Sequence, residues 1–369
     1  MELVSLIIHH FFAFIVILSI IVFIHEFGHY YIAKKCGVKV DEFSIGFGKE
    51  LFGFNDKSGT RWKFCLLPLG GFVKMFGDRN PSSAADHEKL NNLNEQQKKI
   101  SFFYQPVLKR FAIVFAGPVI NFLLGIVILF FIFKAKGVAQ VKPIISEILP
   151  NSAAYESGLL VGDKIIQANN VKITDFSRLQ EITSINIGTP ITLKIIRQNQ
   201  TKEITLTPKI VESKDVFGND IKTPLIGISA DNIAYVDLSI LGAAKLAVVK
   251  TYDMSTMIFQ VLGQLIAGDR SVKDLGGPVK IAKYSGQAVD LGFFFLLYFM
   301  AMISINLGVM NLLPIPGLDG GHLFYYLIEM IKGSPLSMKV QEFGLRVGFS
   351  VLITFMIFIT YFDIVSLFK

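Results

Sequence analysis

Residues 11–29 read FFAFIVILSIIVFIHEFGH: a run from Phe11 to Ile24, apolar but for Ser19, passes directly into His25-Glu26-Phe27-Gly28-His29. On a helix, residues four apart share a face, so the imidazoles of His25 and His29 converge on one ion with Glu26 beside them. That supplies two ligands and a general base. Neutral imidazole suits zinc, and a catalytic zinc takes three protein ligands and keeps one position open, so the spacing predicts a third ligand from a distant part of the chain. The bland alternative is a chance HExxH on a soluble helix. A membrane-length apolar run in front of the motif argues against it.

Composition supports the membrane reading. The chain has 369 residues, 52% of them hydrophobic, with 34 Phe, and a mean hydropathy of +0.52. Those values are wrong for a soluble protein and right for a multi-pass membrane protein. The net charge of +7 does not indicate nucleic acid, because no basic run is interleaved with aromatics. Many Lys and Arg flank apolar segments, where topology and anionic lipid explain them. Cys36 and Cys65 have no CxxC spacing, so neither a disulfide framework nor a cysteine zinc site is expected. On the cytoplasmic side both would be free thiols.

Four spans are expected: Ser5–Ile24, Phe111–Phe133, Phe293–Leu313 and Val347–Phe368. The first reads as retained rather than cleaved, since Glu2 precedes it and His25-Glu26 follow it. Lys34 and Lys35 come after this span, which puts the N-terminus outside and the motif near the cytoplasmic end. His9 and His10 read as interfacial residues. In the cytoplasmic stretch that follows, Glu42–Gly48 and Arg61–Pro68 alternate as strands do, and Gly70-Gly71 punctuates before Phe72–Met75, so short hairpins are expected. Gly46 and Gly48 fit turns or close backbone approach. Pro81–Lys99 reads as an exposed loop and a short helix without chemistry.

Two polar interruptions carry the rest of the argument. In the second span, Ala116-Gly117-Pro118-Val119-Ile120-Asn121-Phe122 places a Pro and an amide at membrane depth. Such a group faces protein or water, or bonds a neighbouring helix. The third span runs into Asn311-Leu312-Leu313-Pro314-Ile315-Pro316-Gly317-Leu318-Asp319-Gly320-Gly321-His322, where two prolines end regular helix. Asp319 lies just past that break. In lipid it would cost about 2.5–3.5 kcal/mol, whereas a divalent cation reverses the sign. Asp319 is therefore the expected third ligand, although taken alone it reads as a cap or turn aspartate. His322 competes for the same role or donates a bond to a ligand. Spans one and three run in the same direction, so the distant ligand can meet the motif.

Between the second and third spans the chain changes character. Short β-rich runs (Ile144-Ile145, Lys164–Ile166, Ile191–Ile196, Glu203–Leu206) surround a helical stretch at Phe176–Ile187. Ser157–Ile166, SGLLVGDKII, resembles the (A/S)GLxxGDxI stretch of bacterial PDZ domains, which bind extended peptides at a sheet edge; a structural spacer is the competing reading. Val236–Ala267 is apolar but interrupted by charge, as expected of an amphipathic helix at the membrane surface.

Taken together, HEFGH at the N-terminal span, GPxxNF in the second, the inserted PDZ-like stretch and NxxPxPxxDGGH at the third resemble the site-2 protease family, and within it the bacterial regulator of sigma-E protease group. The resemblance covers nearly the whole chain. It implies an intramembrane zinc metalloprotease with His25, His29 and Asp319 as ligands and Glu26 as general base. It also implies that Asn121, Asn311, Pro314, Pro316, Gly46 and Gly48 accommodate substrate. The expected fold is a four-helix multi-pass membrane protein with cytoplasmic-side membrane-associated β-hairpins and one extracytoplasmic PDZ domain. Its segments are 1–35, 36–106, 107–134, 135–210 (PDZ), 211–290, 291–322 and 323–369. A bacterial inner-membrane location follows, with both termini outside. The implied partners are single-span membrane protein substrates, a peptide at the PDZ domain and the lipid bilayer, with no nucleic acid. The best-known member of the group carries two tandem PDZ domains, and only one is legible here. The rival functions are a membrane PDZ receptor with a non-catalytic metal site, a zinc-dependent lipid hydrolase and a metal transporter.

Overall fold

The structure is a computed structural model that describes residues 2–78, 90–186, 188–214, 220–231, 233–269 and 275–367. The loop expected at 81–89 lies outside the described residues. In chain order the principal elements are α1 (Glu2–Lys35), β1 (Val40–Asn55), β2 (Arg61–Met75), α2 (Glu95–Ile100), α3 (Val107–Lys136), β3 (Lys164–Ala168), β4 (Val171–Lys172), α4 (Phe176–Ile185), β5 (Ile191–Arg197), β6 (Gln200–Leu206), α5 (Ile240–Ala267), α6 (Pro278–Asp290), α7 (Phe293–Leu312), α8 (Asp319–Lys332) and α9 (Met338–Leu367). Among the described residues, four helices are long and apolar enough to cross a membrane: α1, α3, α7 and α9. α5 is 28 residues long and is not one of them. α9 begins nine residues before the expected Val347, taking in Lys339 and Arg346, because cations at a helix end extend into the interface without interrupting the helix.

The chain forms two compact units, one built on residues 1–129, 250–255 and 275–369, the other on 130–249 and 256–274. In the first, glycines let helices approach closely, as apolar surroundings require when burial alone does not drive association. A Cβ on Gly28 would lie 2.6 Å from the Ala116 carbonyl oxygen, and one on Gly125 would lie 2.6 Å from the Ile305 side chain. α1 therefore packs on α3, and α3 on α7. The buried core at the end of α1 that carries the motif gathers Ala33, Val38, Phe43, Val73, Ile113 and Leu323. An aromatic cluster pins the strands there: Phe43 stacks on Trp62 at 4.2 Å, and Tyr30 meets Trp62 at 5.2 Å.

The strands differ from the short hairpins expected. β1 and β2 are 16 and 15 residues long, and both fold back, so that Phe43 pairs with Val73 on one side and Trp62 on the other, while Trp62 also pairs with Phe54. One bent strand pair thus does the work of four strands. Residues 71–75 lie at one margin, paired only with the start of β1 among the described residues.

The second unit contains an antiparallel sheet in the order β4-β3-β5-β6. Its core is apolar and closed: Ile165, Ile191, Leu193 and Ile195 from alternate strand positions are fully buried, with Leu179 of α4 against them. The sequence expected β3, β5, β6 and α4; Ile144 makes only an isolated bridge to Lys164. In the SGLLVGDKII stretch, Gly158 and Gly162 take φ of 78° and 90°, conformations that favour glycine. They bring Asp163 under the turn, where its Oδ2 accepts from the Leu160 N–H at 2.9 Å. Arg197 closes the arrangement with two 2.7 Å bonds, Nε to Oδ1 and Nη2 to Oδ2.

Candidate metal centre

His25 and His29 are one turn apart on α1, both 7% exposed. Asp319 is the first residue of α8. Asp319 Oδ2 lies 3.2 Å from His25 Nε2 and 3.3 Å from His29 Nε2, and the two Nε2 atoms are 3.3 Å apart. Donors on a tetrahedral zinc with bonds of about 2.0–2.1 Å are separated by about 3.3–3.4 Å, so this near-equilateral triangle has the dimensions of three zinc ligands. His322 is outside the cluster.

The hydrogen bonding around the rings supports the same reading. The Ile113 carbonyl can only accept, so His29 Nδ1 carries the proton it donates there at 2.9 Å. A neutral His29 then presents a bare lone pair at Nε2, aimed into the space shared with His25 Nε2 and Asp319 Oδ2. That oxygen is buried and accepts no hydrogen bond from the described residues. Converging lone pairs on buried atoms repel unless a cation lies between them. The donor set therefore fits zinc.

Each of the three residues owes its position to a local feature. Helical spacing aligns the histidines. Gly117 gives them room: a Cβ there would lie 2.2 Å from His29 Nε2 and 2.9 Å from His25 Cε1. Pro118, next to it, lacks the N–H that would bond the Val114 carbonyl, which loosens the turn whose Ile113 carbonyl holds His29. Past the end of α7, the segment 313–318 curls back over the start of α8, and glycines at 320 and 321 are needed because a Cβ on either would strike backbone of residues 312–316. α8 is tied down farther along by Arg110 on Glu329, with side chains 12% and 14% exposed.

A cavity of about 520 Å³ opens onto the cluster. It is lined by Glu26 beside the histidines, by Gly70, Gly71, Phe72, Val73 and Met75 of the marginal strand segment, and by Asn311, His322 and Tyr326 among others. Glu26 reaches the strand directly, since a Cβ on Gly71 would lie 3.1 Å from its Cγ. Of the residues expected to accommodate substrate, Asn311 lines the cavity. Gly46 and Gly48 do not; they turn the chain at φ of 87° and 86° so that Phe47 between them does. Pro314 and Pro316 do not line it either, and Pro316 packs on α9, its carbonyl against Gly348. Asn121, fully buried, lies behind His25 with its side-chain amide 3.1 Å from Nδ1.

Three features were not read from the sequence. Gly117 was visible inside GPxxNF, and two imidazoles converging from a facing helix need a residue without a side chain opposite them. Gly70 and Gly71 fit turns or close backbone approach in the sequence, and they line the cavity. Asp363 of α9 is fully buried and accepts from the Gly277 and Lys280 backbone N–H groups at 3.2 and 3.1 Å, capping α6. Its partner N–H groups are 83 and 86 residues away, beyond any local signal.

Comparison with known proteins bears on the family of the chain. The profile of peptidase family M50 matches residues 13–355. A relative from Agrobacterium fabrum is 38% identical over 358 residues, 96% of this chain and 95% of its own. One from Mesorhizobium japonicum is 38% identical over 359 residues, 95% of this chain and 97% of its own, and one from Rickettsia conorii is 41% identical over 359 residues, 96% and 98%. All three bear the name "Putative zinc metalloprotease" with a locus label. The PDZ domain of an SdrC-like protein from Listeria monocytogenes matches 25% of this chain and 90% of its own at 15% identity, with a TM-score of 0.20. With a family profile spanning nearly all of it and relatives matched end to end, the chain belongs to peptidase family M50, the site-2 protease family of zinc metalloproteases.

Proposed function

We propose that this protein is an intramembrane zinc metalloendopeptidase that hydrolyses peptide bonds in or near the transmembrane helix of single-span membrane proteins. His25, His29 and Asp319 hold the metal, and Glu26 is the general base. The observation that carries the proposal is the triangle of three buried donors with an unanswered carboxylate oxygen, opening onto a cavity that also holds Glu26. Three ligands rather than four suit a catalytic site, whereas a non-catalytic site in a receptor would close with a fourth.

Zinc bound there supplies Lewis acidity toward the scissile carbonyl and toward water. Glu26 takes the proton from the attacking water and passes it to the leaving amine. The marginal segment 71–75 offers backbone groups beside Glu26, so a locally unwound substrate could pair with it in place of its own helical bonds. Regulated proteolysis suits this arrangement, with anti-sigma factors and signal peptide remnants as substrates of the right form. The sheet around β3 and β5 acts as a PDZ domain that captures a peptide or substrate segment. Its place is outside a bacterial inner membrane, with both termini, while the metal centre lies toward the cytoplasm.

The test is cleavage of a panel of single-span substrates by purified protein in detergent, with and without a zinc chelator, for the wild type and Glu26→Gln. Loss of cleavage on chelation, recovery with zinc, and a variant that keeps its zinc but is slower by about a thousandfold or more are expected. Wild-type turnover by the variant would remove Glu26 from the reaction. A zinc-loaded wild type that cleaves nothing across the panel would favour the receptor.

A further inference from the structure

Asn121 is fully buried on α3, and its side-chain Nδ2 lies 3.1 Å from His25 Nδ1. The other amide atom, Oδ1, is buried and has no partner among the described residues. An orphaned amide atom costs about 1–3 kcal/mol, which a leucine of similar size would avoid. Among the described residues the side chain bonds only His25, so that is where the compensation lies. The backbone is fixed as well: Ser304 Oγ of α7, itself fully buried, donates to the Asn121 carbonyl at 2.9 Å.

The direction of the Asn121 bond follows from which His25 nitrogen faces the other ligands. Nε2 does, at 3.2 Å from Asp319 and 3.3 Å from His29. Coordination through Nε2 leaves the proton on Nδ1, and a protonated Nδ1 needs an acceptor. A side-chain amide offers an oxygen or a nitrogen in nearly the same shape, and the two are assigned from their surroundings. The far atom lacks a partner in either orientation, so His25 alone decides. The oxygen must face the ring.

We infer that Asn121 is a positioning residue of the metal centre: its side-chain oxygen accepts the Nδ1–H of His25, locking the tautomer and ring orientation that present Nε2 to zinc. This differs from accommodating substrate, the role implied by family resemblance. It makes the two histidines a matched pair, His29 held by the Ile113 carbonyl and His25 by an amide carbonyl, both from α3. The inference rests on zinc binding at the proposed ligands.

The experiment measures zinc affinity by chelator competition on purified full-length protein, for wild type, Asn121→Leu and Asn121→Asp. Partners of ligating histidines are worth roughly 10–100-fold in metal affinity. Asn121→Leu should lose that much, while Asn121→Asp, which can still accept from Nδ1–H, should stay within a few-fold of wild type. Leucine binding zinc like the wild type would overturn the inference and return Asn121 to the substrate; so would equal losses in both variants. A wild type that binds no zinc would overturn the metal reading itself. Should the leucine variant fail to fold, nitrogen NMR of zinc-loaded wild type serves instead: a protonated Nδ1 on His25 is expected, and a proton on Nε2 would end the argument.

Discussion

Asp163 and Asp319 each turn carboxylate oxygen into the interior, under opposite conditions. In the second unit, the Asp163 side chain is 1% exposed, and its oxygens take two bonds from Arg197 and one from the Leu160 N–H. In the first unit, Asp319 turns a buried Oδ2 toward two imidazole nitrogens and receives no hydrogen bond on it. A buried carboxylate is tolerated only when its charge is answered. Asp163 is answered by the fold, and so its role ends with the fold. Asp319 is left to be answered by something that binds. The difference separates a structural carboxylate from a proposed ligand without reference to any relative.

The largest test of that separation is Asp319→Asn. Zinc affinity should fall by more than about 100-fold, beyond the loss expected from a residue that only orients a ligand. The metal-free protein should keep its thermal midpoint, because the substitution removes a charge that nothing in the fold satisfies. Elemental analysis reads the first effect and a melting curve with chelator the second. A metal-free variant that melts well below the wild type would make Asp319 a structural group like Asp163.

Arg197→Met probes the other member. It strands a buried carboxylate, at a cost of about 3 kcal/mol to the second unit, read by hydrogen exchange over the β3, β5 and β6 strands. The wild-type pair also predicts a pH dependence. Burial alone would raise the Asp163 carboxyl, but the Arg197 guanidinium and the Leu160 N–H overcome it and hold it below the ordinary range. A carboxylate depressed in the folded state contributes stability above its unfolded value, about 3.9, and loses it as pH falls through the folded value. Acid should therefore loosen the wild-type unit, and the Met variant should lose this component of the acid response. An unchanged acid profile would show that the ion pair does not hold this turn.

The same contrast explains what the sequence made legible. His25, Glu26 and His29 lie on regular helix, where a period of 3.6 converts spacing into geometry. Asp319 follows two prolines, and nothing local says which way a residue points after such a break. Only the direction of the spans and the cost of a carboxylate in lipid picked it out. SGLLVGDKII gave the turn but not its partner, because Arg197 is 34 residues away. The strands at 40–75 were recognised by alternation, but their double folding depends on pairing that alternation does not encode.

Gly117→Ala makes the smallest and most local test, of whether the ligand triangle must keep its present dimensions. Alanine is the better helix former, so propensity alone predicts a slight gain in stability. The new methyl would instead fall 2.2 Å from His29 Nε2 and 2.4 Å from its Cε1. The ring is held from behind by the Ile113 carbonyl and cannot retreat without breaking that bond. Overpacking of this kind costs about 1–3 kcal/mol, and here it should appear as weaker zinc binding, about tenfold, with the metal-free fold little changed. If alanine stabilises the protein and leaves zinc affinity intact, the rings have slack, and the three donors are not held at zinc-ligand spacing by the helices around them.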